Sequence, residues 1–226
     1  MTDERRVTDT SPTGSTTSAP SLVTTVLHVA WLAILLGLAM EGLLLLLAAG
    51  FGIFPSLKEI VADLVRQSSW SLVVCVGLSL GTAASKLRAQ LMGLLGLLAA
   101  PIAFSAARSL HEGAKQVLEI AGSASAVSFL IFPLALLKGV EYGCLGLAIG
   151  WVGRRTWGVV AHMAVGLVVG LLFGGLILAL TYWGSPSPPS TVELISLGLN
   201  EVLFPVGCSL VLFSAEALGK RATVET

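Results

Sequence analysis

From Leu22 to Ala49 the chain runs almost unbroken through apolar side chains, and further apolar stretches follow, divided by short polar or Gly/Pro/Ser-rich breaks. These runs are apolar on every side rather than along one stripe, the pattern of a helix surrounded by lipid. A helix that crosses a bilayer needs about twenty such residues. The pattern predicts helices over 22–49, 69–85, 90–109, 124–152, 157–183 and 191–217. The second is short. The apolar run from Leu118 onward is too long for one upright helix and too short for two, so a single tilted or kinked helix is expected, with Pro133 and Gly139 as kink sites.

Two breaks carry helical signals of their own. Ser56-Leu57-Lys58-Glu59 is a capping box, in which the Ser hydroxyl and the Glu carboxylate satisfy backbone donors reciprocally. Leu57, Ile60, Val61, Leu64 and Val65 then repeat at helical spacing, with Lys58, Asp63 and Arg66 off that stripe, which predicts a short helix lying in the membrane interface. The stretch from His111 to Ala121 is a weaker version of the same pattern. The expected fold is an all-α, polytopic transmembrane bundle of six spans with short interfacial helices on the outer side. Residues 1–20 lack apolar periodicity and read as a disordered cytoplasmic tail. The membrane domain is expected over 21–218, and 219–226 as a second cytoplasmic tail. The first apolar run is too long for a signal-peptide core and reads as a retained span.

Charge placement gives the orientation. With six spans, one side holds Arg5, Arg6, Lys86, Arg88, Arg154, Arg155, Lys220 and Arg221, the other only Lys58, Arg66, Arg108 and Lys115. The positive-inside rule then puts both termini in the cytoplasm, and the expected location is a bacterial inner membrane. Composition agrees: 55% of residues are hydrophobic and 12% charged, against roughly 25% charged in an ordinary soluble domain. Formal net charge is zero, which removes a basic patch for nucleic acid. The partners expected are the lipid bilayer and, for some functions, a second copy or another membrane subunit.

Glycine spacing bears on packing. Gly158, Gly166, Gly170 and Gly174 recur at multiples of four on helix five, and Gly139, Gly143, Gly146 and Gly150 lie along one side of helix four. Small residues at this spacing let helix backbones approach closely. The two helices are joined by a short turn, so the expectation is that they pack glycine face to glycine face, with homo-oligomerisation through one face as the alternative. Lys138 and Glu141 then lie away from the glycine side, toward another neighbour or a cavity.

The candidate chemistry is a set of ionisable groups inside the apolar runs: Glu41, Glu141, Glu201 and Lys138. Each costs about 2.5–3.5 kcal/mol at a helix centre even on lenient scales, so each must be neutralised, paired or hydrated. Lys138 and Glu141 stand at i, i+3. Gly198, Glu201, Pro205 and Cys208 share one face of helix six, and Pro205 leaves the carbonyl of residue 201 without its helical donor, as in the broken helices that hold cations in transporters. Ala30, Ile34, Gly37, Glu41 and Ala48 form an inward face on helix one. At 1.5 Å per residue Lys138 falls near the midplane and Glu41 about 7–8 Å further out. Asn200 can hydrogen-bond between helices, and Glu216 with Lys220 forms an i, i+4 pair near the chain's end. Glu41 and Glu141 fall at corresponding places in the two three-helix halves, as inverted repeats would have them.

Cys75, Cys144 and Cys208 are isolated and read as packing residues. His28 and His162 fall at one depth and are the weak metal candidates, without a third ligand. There is no Gly-x-Ser-x-Gly, His-Glu-x-x-His or phosphate loop, so no enzyme activity and no cofactor are expected. The leading expectation is a small transporter or channel for a cation or proton, with Glu41, Glu141, Glu201, Lys138 and Asn200 on its path. The alternative is a non-catalytic membrane subunit or scaffold, whose buried charges and glycine faces dock helices.

Overall fold

The computed structural model describes residues 22–83, 87–118, 120, 130–155, 157–185 and 189–222. Its helices are α1 (Leu22–Gly50), α2 (Leu57–Leu80), α3 (Arg88–Val117), α4 (Ile131–Val152), α5 (Val159–Gly184) and α6 (Thr191–Ala222). All six are long and apolar enough to cross a membrane, and the described residues contain no strand. The chain is an all-α, multi-pass membrane bundle. Exposed side chains such as Trp31, Leu46, Val168, Leu172 and Trp183 clothe the outside, while Glu41, Gln67, Lys138, Glu141 and Glu201 are buried. That is the reverse of a soluble protein's arrangement and suits lipid as the surrounding solvent.

The separate interfacial helices expected near 57–66 and 111–121 are not present as such. The capping box forms as read, with Ser56 N–H donating to Glu59 Oε2 at 2.7 Å and Glu59 N–H to Ser56 Oγ at 3.3 Å. It opens a helix that continues for 24 residues to Leu80. Nothing between Arg66 and Trp70 stops it, and extending a helix costs far less than ending one and nucleating another. α3 likewise runs through His111 to Val117. A second capping box, Ser190 with Glu193, opens α6.

The fourth helix begins at Ile131, and 121–129 lie outside the described residues, as do the expected tail over 1–20 and residues 223–226. Pro133 falls in the first turn of α4, where a missing N–H loses no helical bond. Gly139 is a point of close contact with the Leu97 carbonyl on α3.

The helices pack in chain order around a ring, each on the next, with α6 returning to α1 and touching α2 and α4 across the middle. The glycine faces do not meet one another. A Cβ on Gly139 would lie 2.9 Å from the Leu97 carbonyl oxygen, one on Gly143 3.3 Å from Leu97 Cβ, and one on Gly150 2.5 Å from Ala89 Cα, all on α3. On α5, a Cβ on Gly166 would lie 2.7 Å from the Pro205 carbonyl oxygen, one on Gly170 2.6 Å from that of Val202, and one on Gly174 3.0 Å from Glu201 Cβ, all on α6. Gly93 and Gly96 on α3, and Pro205 with its neighbours on α6, offer the surfaces that fit. Gly158 caps α5 with open space around it and packs nothing. Close approach needs a complementary surface on the other side, and α3 and α6 provide one to each glycine face.

At the end of the bundle that holds the start of α3 and the end of α6, Arg88 pairs with Glu216. Glu216 thus bonds between helices, and the i, i+4 partner expected for it, Lys220, has a side chain outside the described residues.

Candidate functional site: a buried lysine between two carboxylates

Lys138 and Glu141 are one turn apart on α4 and point the same way, as i, i+3 residues do. The Lys138 Nζ donates to Glu141 Oε2 at 3.0 Å and also pairs directly with Glu201 Oε2 on α6. α6 can come this close because Gly170 and Gly174 of α5 leave room for the backbone around Glu201 and Val202. Pro205, four residues beyond Glu201, removes the amide that would otherwise bond the Glu201 carbonyl.

The ammonium group is roofed by aromatic faces, 5.5 Å from the Trp70 ring centre and 5.7 Å from that of Tyr142. Trp70, Tyr142 and Phe204 pack on one another in edge and tilted contacts 5.6–6.4 Å apart. A cation over a ring face is attracted by the ring quadrupole, most strongly where water is excluded. One positive charge faces two carboxyls in this enclosure. Lys138 compensates one of them as a carboxylate; the other needs a proton or a second cation, because an uncompensated buried charge is costly. Glu141 Oε1 and the Tyr142 hydroxyl are buried without a hydrogen-bond partner among the described residues, so the site has unused acceptor and donor capacity.

A cavity of about 260 Å³ leads to this group. Lys138, Glu201 and the Trp70–Tyr142–Phe204 cluster form its inner end. Gln67 and Asn200 cross it, with Gln67 Nε2 donating to Asn200 Oδ1 at 2.7 Å. Arg66, Arg108, His111 and Phe104 line the rest. The side chains of Arg66 and Arg108 are 40% and 32% exposed, against 9% and 6% for Lys138 and Glu201, so the cavity opens at the arginine end and closes at the lysine. Glu141 lies behind the wall and is reached through Lys138.

Of the residues singled out in the sequence, Glu141, Glu201, Lys138 and Asn200 are brought together. Glu41 is not. It is buried on α1 with Oε2 unpartnered, and the charges acting on it are Asp63 and Arg66 of α2. Cys75 and Cys208 meet inside the bundle, Sγ to Sγ 2.8 Å, joining α2 to α6. His28 is exposed on α1, while His162 is buried on α5 against Phe213, with Nδ1 3.1 Å from the Gly158 carbonyl oxygen. Among the described residues no group of three or more His, Cys, Asp or Glu could hold a metal. Comparison with family models, curated proteins and solved structures finds no match.

Arg66, Gln67, Trp70, Tyr142 and Arg108 were not singled out in the sequence. The capping box at Ser56 was the usable signal. A helix counted onward from Leu57 puts Arg66, Gln67 and Trp70 inside the span, and a glutamine and an arginine at that depth call for partners.

Proposed function

We propose that the protein is a small membrane transporter or channel whose exchange site for a proton or cation is the Glu141–Lys138–Glu201 group. The observation that carries this reading is a buried lysine shared by two carboxyls on different helices at the closed end of a cavity. The lysine is a tethered counter-ion. When Glu201 takes up a proton or a cation from the cavity, its hold on Lys138 weakens, and the ammonium turns fully to Glu141. When the proton or cation passes on to Glu141, the ammonium turns back to Glu201, so that Lys138 compensates one carboxyl and the bound proton or cation the other. Because Glu141 and Glu201 sit on different helices, this exchange alters the tie between α4 and α6, the kind of two-state contact that alternating access requires. Glu41 stands apart from this group as a separate acid on α1.

Supporting this over the scaffold reading, the glycine faces of α4 and α5 are covered within the chain by α3 and α6, which leaves them no surface for a partner subunit. With both termini cytoplasmic, the cavity opens outward. The test is flux in proteoliposomes under imposed proton, Na⁺ and K⁺ gradients. Flux in the wild type that Glu201→Gln abolishes is expected. Folded protein that moves none of the three, or a Glu201→Gln variant with wild-type flux, refutes the reading.

A further inference from the structure

The cavity has a chemistry that a proton or metal ion does not need. Its volume, about 260 Å³, is roughly that of nine liquid water molecules. Its sides are largely aromatic, from Phe104, Trp70 and Phe204. Three permanent or ion-paired cations, Arg66, Arg108 and Lys138, reach its wall, and among the described residues Glu201 is the only carboxylate on it. The acids that accompany the two arginines stand off the wall. Asp63 Oδ1 takes one edge of Arg66 at 3.2 Å, and Glu112 Oε1 takes Arg108 Nε at 2.9 Å.

We propose that this cavity binds a small organic anion, a carboxylate borne on an aromatic or branched apolar body. The carboxylate sits at the Arg66–Arg108 end and the body lies inward against the rings. Guanidinium groups suit the purpose because their planar fork of donors matches a carboxylate, and a donor edge remains when a neighbouring acid holds the other. The apolar body gains from burial against Phe104, Trp70 and Phe204. An amine of the same size is disfavoured twice. It meets two guanidinium groups at the opening, and the ring faces that would attract it, Trp70 and Tyr142, already hold Lys138. A bare inorganic ion would leave the aromatic walls without an occupant.

The inference rests on the proposed exchange site in one respect. With a proton on Glu201 and the anion at the arginines, the loaded cavity gains no net charge, so the two would cross together at little electrostatic cost.

The test is titration calorimetry on the purified full chain in lipid nanodiscs. Benzoate and 3-phenylpropanoate are compared with benzamide and benzylamine at one pH and ionic strength. Saturable binding of a carboxylate is expected, at least about tenfold tighter than the amide or amine, since each charge-assisted contact supplies that much discrimination. Arg66→Gln and Arg108→Gln should each weaken it about tenfold, while Arg155→Gln, at the opposite end of the bundle, leaves it unchanged. Both cavity arginines are partly exposed, so their variants should fold, and thermal unfolding checks that they do. Benzylamine binding as tightly as benzoate, carboxylate affinity untouched in both cavity variants, or no saturable binding of either carboxylate by folded wild type would each overturn the proposal. Proton flux measured without any carboxylate, in wild type and Glu201→Gln, reports on the exchange site alone, so the two ideas can fail separately.

Discussion

Replacing Lys138 by Met isolates the interaction on which the site depends. Met keeps most of the aliphatic volume beside Trp70 and Tyr142, so the change removes the charge with little loss of packing. In the native protein the ammonium serves two carboxyls whose side chains are 0% and 6% exposed. Removing one partner of a buried ion pair costs about 3–5 kcal/mol, mostly because the remaining charge is stranded. The lost cation–π contacts contribute about 0.5–2 kcal/mol more. The variant should therefore lose at least about 3 kcal/mol against unfolding in mixed detergent and SDS micelles, followed by circular dichroism. The triple variant Lys138→Met, Glu141→Gln, Glu201→Gln provides the control. If the loss at Lys138 did not depend on the two carboxyls, the triple would lose at least as much as the single, about 3 kcal/mol or more. Because Lys138→Met leaves a carboxylate without its counter-ion, while the triple leaves no charge to compensate, the triple should instead lie within about 2 kcal/mol of wild type. Lys138→Met within about 0.5 kcal/mol of wild type, or a triple that loses as much as Lys138→Met, would refute the reasoning.

Three other outcomes follow from the packing. Gly170→Ala places a methyl 2.6 Å from the Val202 carbonyl oxygen, whereas one at Gly175 meets nothing within 4 Å; the first should cost about 1–3 kcal/mol by overpacking and the second stabilise by up to about 1 kcal/mol through helix propensity. Equal effects in the same SDS titration would contradict the α5–α6 contact. Diamide should remove the two thiol hydrogens of Cys75 and Cys208 and link α2 to α6 by a disulfide, read as faster migration on non-reducing electrophoresis and absent in Cys75→Ala. Unchanged migration, with both thiols still open to alkylation after denaturation, would speak against the contact. Ser56→Ala, which removes half of a capping box, should cost about 1 kcal/mol; an unchanged unfolding midpoint would show that α2 does not need the cap.

The sequence by itself determined the solvent and the class of fold. Runs of twenty or more apolar residues have one stable form in lipid, the helix, because every backbone hydrogen bond must be made within the segment. That local rule placed six spans, and the cost of charge in hydrocarbon marked Glu41, Lys138, Glu141 and Glu201 as residues needing partners. The Ser56 capping box is local too, and it was legible. What the tertiary structure decided is which of these groups meet. Glycine spacing shows that a helix can be approached closely but not by which neighbour, and here α4 is met by α3 and α5 by α6. Glu201 reaches Lys138 because the α5–α6 approach sets its position, while Glu41, equally conspicuous in the sequence, is left apart. The cavity is a purely tertiary feature: Arg66, Trp70, Arg108 and Tyr142 stand on three helices, and no periodicity along one helix records what another places opposite it.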